Sequence, residues 1–191
     1  MNFNMKNIFF AFMALFLALG FSSCSNDDWT YDKSLEHVYF FGPQVWGYDE
    51  TKKGNNNVVF YDIEQGATAE VPMQFWSEFF RSYDVVTYYY TTSETLVLGK
   101  DYAVVDENGT VLNPDANGAY SFTWKNAQKG IKNIYIKSLP GGELGTVTLL
   151  TADPAGETPV NNNLDTTLQS KTSDYEVRIF SQNYKVAINI K

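Results

Sequence analysis

The feature that most restricts what this chain can fold into is a period of two in its apolar residues, repeated along the chain and broken at short intervals by turn residues. Val71, Met73 and Phe75 alternate with Glu70, Pro72 and Gln74, and Tyr120, Phe122 and Trp124 alternate with Ala119, Ser121 and Thr123. Tyr184, Val186, Ile188 and Ile190 do the same against Lys185, Ala187, Asn189 and Lys191. Successive side chains of a strand point to opposite faces, so each segment offers one face to a core and the other to water. Between the segments stand Lys53-Gly54-Asn55-Asn56-Asn57, Gln65-Gly66, Glu107-Asn108-Gly109, Ala116-Asn117-Gly118, Lys129-Gly130 and Pro140-Gly141-Gly142. Asn and Gly tolerate the positive φ that tight hairpins demand.

Ten strands follow from this pattern: 38–41, 58–62, 69–76, 84–91, 101–105, 119–124, 131–138, 145–151, 175–180 and 183–190. Their spacing predicts an all-β fold, an antiparallel β-sandwich. Ser77 to Tyr83 is aromatic without alternation and reads as a loop or bulge. The polar stretch 153–173, with two prolines and three consecutive asparagines, reads as a long loop. The two strands after it are too few to stand alone, so residues 37–191 are expected to form a single domain.

The first residues read as an address. Residues 1–23 hold no acid, one lysine (Lys6) and a 14-residue apolar run from Ile8 to Phe21, followed by Ser22, Ser23 and Cys24. A basic start, a short apolar stretch and small residues at the end describe a secretory signal. The run is short for a membrane span, which needs about 20 residues; an uncleaved anchor helix is the competing reading. Residues 24–36 read as an acidic flexible tether.

Composition narrows the chemistry. The chain has 14 Lys+Arg against 22 Asp+Glu, a formal charge of −8, the wrong sign for a general nucleic-acid binder. Removal of the leader takes away Lys6 and leaves 168 residues with a net charge of −9, which disfavours lying flat on an anionic surface. With one histidine (His37) and one cysteine (Cys24), the chain cannot build a zinc site from His and Cys, a CxxC redox pair or an internal disulfide. No metal or cofactor is expected.

Cys24, at the end of the leader, resembles the cysteine of a bacterial lipobox, which is lipidated on sulfur and becomes the new N-terminus. The match departs from the strict pattern: Phe21 stands where leucine is usual, and Ser23 replaces a small glycine or alanine. Such relaxed forms resemble those of Bacteroidota lipoproteins. The resemblance implies a membrane partner through a lipid anchor at Cys24, since each buried CH₂ of an acyl chain contributes about 0.8 kcal/mol. Ser25, Asn26, Asp27 and Asp28 resemble a short acidic export signal to the outer face of the outer membrane, and read equally as a solvated linker.

A second resemblance lies in the body. VVTYYYTTSETLVLGKDYAVV (85–105), SFTWKNAQKGIKNIYIKS (121–138) and GELGTVTLL (142–150) resemble the Calx-beta type of immunoglobulin-like sandwich, with Gly99-Lys100-Asp101-Tyr102 as the shared Gly-x-Asp-Tyr. It covers about a third of the chain. Some Calx-beta domains bind calcium through acidic loops, for which Asp101, Asp106, Glu107, Glu143 and Asp153 are candidates. No dense acidic cluster exists, and Asp101 reads better as a cap on its turn.

Sugar rings present apolar C–H faces that stack on exposed aromatic rings. Trp29, Trp46, Tyr48, Trp76, Phe79, Phe80, Tyr83 and Tyr89 could supply such a surface. Trp46 and Tyr48, in a Gly-Pro-Gln-Val-Trp-Gly-Tyr-Asp loop, and Trp76, on the polar parity of its strand, are the expected ligand-binding residues. Trp124, Tyr88 and Tyr90 are expected in the core. No catalytic residue is identified: His37 stands just ahead of the first strand without a nucleophile motif near it. Asp165-Thr166-Thr167 resembles a Bacteroidota O-glycosylation acceptor. The reading is a non-catalytic, cell-surface binding or accessory lipoprotein, glycan-directed or partnered with other surface proteins; its resemblance to small Bacteroidota surface lipoproteins implies an association with polysaccharide uptake. The alternative is a structural subunit of a surface assembly or fimbria.

Overall fold

A computed structural model describes residues 36–44, 59–152, 159, 163, 165–181 and 184–191. The strands all belong to one compact unit, His37–Lys191. They are β1 (Val38–Pro43), β2 (Val59–Ile63), β3 (Thr68–Trp76), β4 (Val85–Thr92), β5 (Tyr102–Val105), β6 (Tyr120–Trp124), β7 (Gly130–Ser138), β8 (Gly145–Leu150), β9 (Leu168–Lys171), β10 (Glu176–Ile179) and β11 (Lys185–Ile190). Two short 3-10 turns, Lys125–Ala127 and Asp165–Thr167, are the only helical elements among the described residues. A six-stranded sheet, in the order β5-β7-β3-β1-β10-β9, faces a five-stranded sheet in the order β2-β11-β8-β4-β6. The fold is thus an all-β, immunoglobulin-like sandwich.

The alternation seen in the sequence sets the core. Val71, Met73 and Phe75 of β3, Ile134 and Ile136 of β7, and Val186, Ile188 and Ile190 of β11 are buried between the sheets. Rings fill the middle: Phe75 stacks on Trp124 at 4.9 Å, and Tyr89 on Tyr120 at 5.3 Å. The indole N–H of Trp124 donates to Thr87 Oγ1 at 2.9 Å, giving a buried donor its partner.

Three sequence expectations change. Two strand pairs are parallel, β1 with β10 and β2 with β11, so the sheets are not wholly antiparallel. Parallel partners need long crossovers, which no hairpin signal announces. The stretch 153–173, expected as a loop, carries the Asp165–Thr167 turn and β9. Leu-Gln-Ser-Lys has too little alternating apolar character to read as a strand, and its pairing with β10 decides it. In β4 the parity is inverted: Val85, Thr87 and Tyr89 face the core, while Tyr88 and Tyr90 are only half-buried. Either register of Val-Val-Thr-Tyr-Tyr-Tyr looks apolar, and the Trp124 partner for Thr87 favours the observed one.

β4 shows how the two sheets are joined. β8 pairs only with Tyr90–Thr92, so among the described residues no strand flanks Val85–Tyr89 on that side. The β9–β10 hairpin of the opposite sheet fills the gap with side chains. Gln169 accepts the Tyr88 N–H at 2.8 Å and donates to the carbonyls of Tyr88, at 2.9 Å, and Thr151. The Tyr175 hydroxyl accepts the Val86 N–H at 3.1 Å.

Candidate functional site

Two of the three expected ligand-binding residues, Trp46 and Tyr48, lie outside the described residues, as do Cys24 and nearly all of the tether. Trp76 is described. It is the last residue of β3, faces away from the core and is 39% exposed. The antiparallel register places it directly opposite Phe40 of β1, whose side chain also points outward because Tyr39 and Phe41 point in. Phe40 in turn lies 5.8 Å from Phe180, just past β10, with the rings inclined by only 20°. Three large rings on adjacent strands therefore form a strip on the outer face of the six-stranded sheet.

Polar groups border the strip. Gln74 occupies the neighbouring outward position of β3, and Arg178 is aligned with Phe40 in the parallel pairing. The Arg178 guanidinium donates to Glu176 at 3.0 Å, and Lys171 binds the other carboxylate oxygen of Glu176. The hydrogen bond from Lys171, and then that from Arg178, hold the Glu176 carboxyl below the usual carboxylate range. The strip thus offers apolar ring surface beside hydrogen-bond donors and acceptors. Phe40 and Phe180 were legible as aromatic residues, but only the pairing of β1 with both β3 and β10 brings them beside Trp76.

Beyond Trp76 the loop Ser77–Asp84 carries Phe79 and Phe80, 50% and 73% exposed. Its base is held firmly. Arg81 N–H donates to the Asn126 carbonyl at 2.8 Å, and the Asn126 side chain returns a bond to Arg81 O at 3.1 Å. The Asp84 carboxylate accepts from Asn126 N–H at 3.0 Å and from Lys125 Nζ at 2.5 Å, the latter bond being the main cause of its lowered pKa. Asn126 and Ala127 adopt positive φ of 53° and 51°, a conformation that costs non-glycine residues energy and is kept here by these contacts.

His37 sits at the same end. Its Nδ1 is 2.6 Å from the Tyr83 hydroxyl, which is 2.8 Å from the hydroxyl of Tyr39. Burial, and then the bond to Tyr39, push the Tyr83 hydroxyl pKa up. Tyr83 also stacks on Tyr175 at 5.8 Å. A chain of hydrogen bonds thus joins His37, Tyr83 and Tyr39 at this end of the sandwich.

Two of the acidic candidates, Asp101 and Asp106, cap turns. Asp101 is buried, its carboxylate accepting the N–H groups of Val97 at 2.7 Å and Glu143 at 3.0 Å, and these two bonds lower its pKa. Asp106 likewise accepts from Asn108 and Thr110 inside its own hairpin. Asp115 repeats that geometry with Asn117 and Ala119, and Gly109 and Gly118 supply the positive φ in each turn. No group of three or more His, Cys, Asp or Glu converges among the described residues. Asp153 lies outside them. Thr166 is buried and its hydroxyl donates to Asn163 O at 3.0 Å, so it lacks the exposure expected of an O-glycosylation acceptor. Tyr89, counted among possible platform rings, is 2% exposed and belongs to the core.

No family model matches this sequence, and no curated protein matches it significantly. Among solved structures, a chain of the CaDoc0917–CaCohA2 complex, crystallised at pH 5.5, is similar at a TM-score of 0.40 and 12% identity, over 81% of this chain and 99% of that one. A likeness this loose assigns neither topology nor partner.

Proposed function

We propose that this chain is a non-catalytic binding module, held at the outer membrane by lipid on Cys24 and facing the cell exterior as an accessory to polysaccharide uptake. The strip Trp76–Phe40–Phe180 takes the apolar face of a sugar ring, while Gln74 and the Arg178–Glu176 pair meet its hydroxyls. The observation that carries this reading is the placement of three rings on the solvent side of adjacent strands, where the core does not need them. Contiguous exposed apolar surface on a soluble domain commonly marks a binding site. The leader and the lipobox-like cysteine support the location, and mass spectrometry of the native protein tests it by looking for acyl chains on Cys24.

Glycan arrays probed with the protein, followed by titration of any ligand found, test the binding. Truncating a buried aromatic anchor typically costs more than about 1 kcal/mol, so Trp76→Ala should weaken binding by roughly five- to thirtyfold. Uniform lack of glycan binding, or binding indifferent to both Trp76→Ala and Phe40→Ala, overturns the sugar assignment.

A further inference from the structure

We propose that the loop Ser77–Asp84 is a second membrane contact, its tip dipping Phe79 and Phe80 into the headgroup region of the lipid bilayer to which the chain is tethered. The inference deepens the lipid-anchored reading and rests on it. Three observations meet at one end of the sandwich. The tether joins the body at His37, whose Nδ1 lies 2.6 Å from the hydroxyl of Tyr83 at the foot of this loop. β1 begins beyond Trp76 in the pairing with β3, so the loop that follows Trp76 leaves from the tether end. The loop tip exposes two phenylalanines, at 50% and 73%, on a base fixed by Asn126 and Asp84.

The charge and length of the chain make such a contact useful. Twelve residues separate Cys24 from His37, and extended they span about 40 Å. A net charge of −9 after loss of the leader keeps the body from lying flat on an anionic surface, so a second contact has to be small and apolar. Phe is among the side chains that membrane-surface segments bury at the headgroup–acyl boundary, and the Arg81 guanidinium lies 5.4 Å from the centre of the Phe79 ring. The exposed aliphatics Val97, Leu98 and Leu144 lie at the other end of β3, beside the Asp101 turn, and make no equal claim. The aromatic strip on the sheet face stays in water, beside the membrane rather than in it.

The test uses the protein as the cell makes it, joined through Cys24 to phosphatidylethanolamine–phosphatidylglycerol vesicles whose acyl chains carry bromine. Native acyl chains make the join where mass spectrometry finds them, and a maleimide lipid makes it where the thiol is free; insertion is therefore read whichever state Cys24 is in. Phe80→Trp places an indole at the tip and Lys100→Trp one at the opposite end. The expected result is bromine quenching of the added indole at 80 severalfold above that at 100, with the quenching at 80 falling when Phe79→Ser is added to the same protein. Equal, weak quenching at both positions overturns the inference, as does stronger quenching at 100. A free thiol at Cys24 counts against lipidation alone.

Discussion

The Gln169 bridge gives the sharpest test of how this sandwich is held together. Gln169→Leu keeps nearly the same volume but removes three hydrogen bonds that a side chain supplies to the backbone in place of a missing strand. Each buried donor or acceptor left unpaired costs about 1–3 kcal/mol. The Tyr88 N–H loses its partner outright, whereas carbonyls, with two lone pairs, tolerate the loss better. A total of about 3–5 kcal/mol follows, a large share of the 5–15 kcal/mol that typically stabilises a domain. At about 2–4 °C per kcal/mol for a domain of this size, the melting temperature should drop by roughly 6–20 °C. Gln169→Glu separates hydrogen bonding from packing, because it keeps the acceptor and loses the donor. Burial raises its folded pKa above the unfolded value, so its stability is greatest below the ordinary carboxylate range and is lost as pH rises through the raised value. Thermal melts between pH 7 and pH 4 should therefore show this variant gaining stability relative to the parent as acid is added. A Leu variant that melts within about 2 °C of the parent refutes the bridging role. A Glu variant with no pH dependence of its own refutes the donor–acceptor accounting.

Other consequences can be checked with the same melts. Gly142→Ala would set a Cβ 2.7 Å from Asp101 Cα and 2.9 Å from its carbonyl oxygen, so about 1–3 kcal/mol of destabilisation is expected. Phe75→Ala empties a site stacked on Trp124 and should cost about 3–5 kcal/mol, with ligand or vesicle binding by the remaining folded protein unchanged. Asp62, Asp84, Asp101, Asp106 and Glu176 all have folded pKa values below the ordinary carboxylate range. The stability they add is complete above that range and is lost as pH falls through the lowered values, so melting temperature should fall with acid. Asp101→Asn should melt below the parent at neutral pH and show a shallower acid decline. A decline of unchanged slope would take Asp101 out of the account.

Much of the body was legible in its residues because local and long-range demands agree there. In β3 and β11 an alternation of large apolar and mostly polar or small side chains leaves one register that buries the apolar set. Legibility failed where either register buries apolar surface, as in Val85–Tyr90, or where a strand is polar, as in Leu168–Lys171. The candidate site was only partly visible. Trp76 stands out by parity on its own strand, but Phe40 and Phe180 acquire meaning from a parallel pairing between segments more than 130 residues apart.

By itself, then, the sequence determined an all-β body, its turns and the faces of its clearest strands, all set by neighbours a few residues apart. The tertiary structure decided which strands lie side by side, and with that the aromatic strip, the closeness of Tyr83 to His37 and the use of Gln169 and Tyr175 as a substitute strand edge. Strand neighbours are chosen by the total surface that two sheets can bury together, a quantity that no single segment carries.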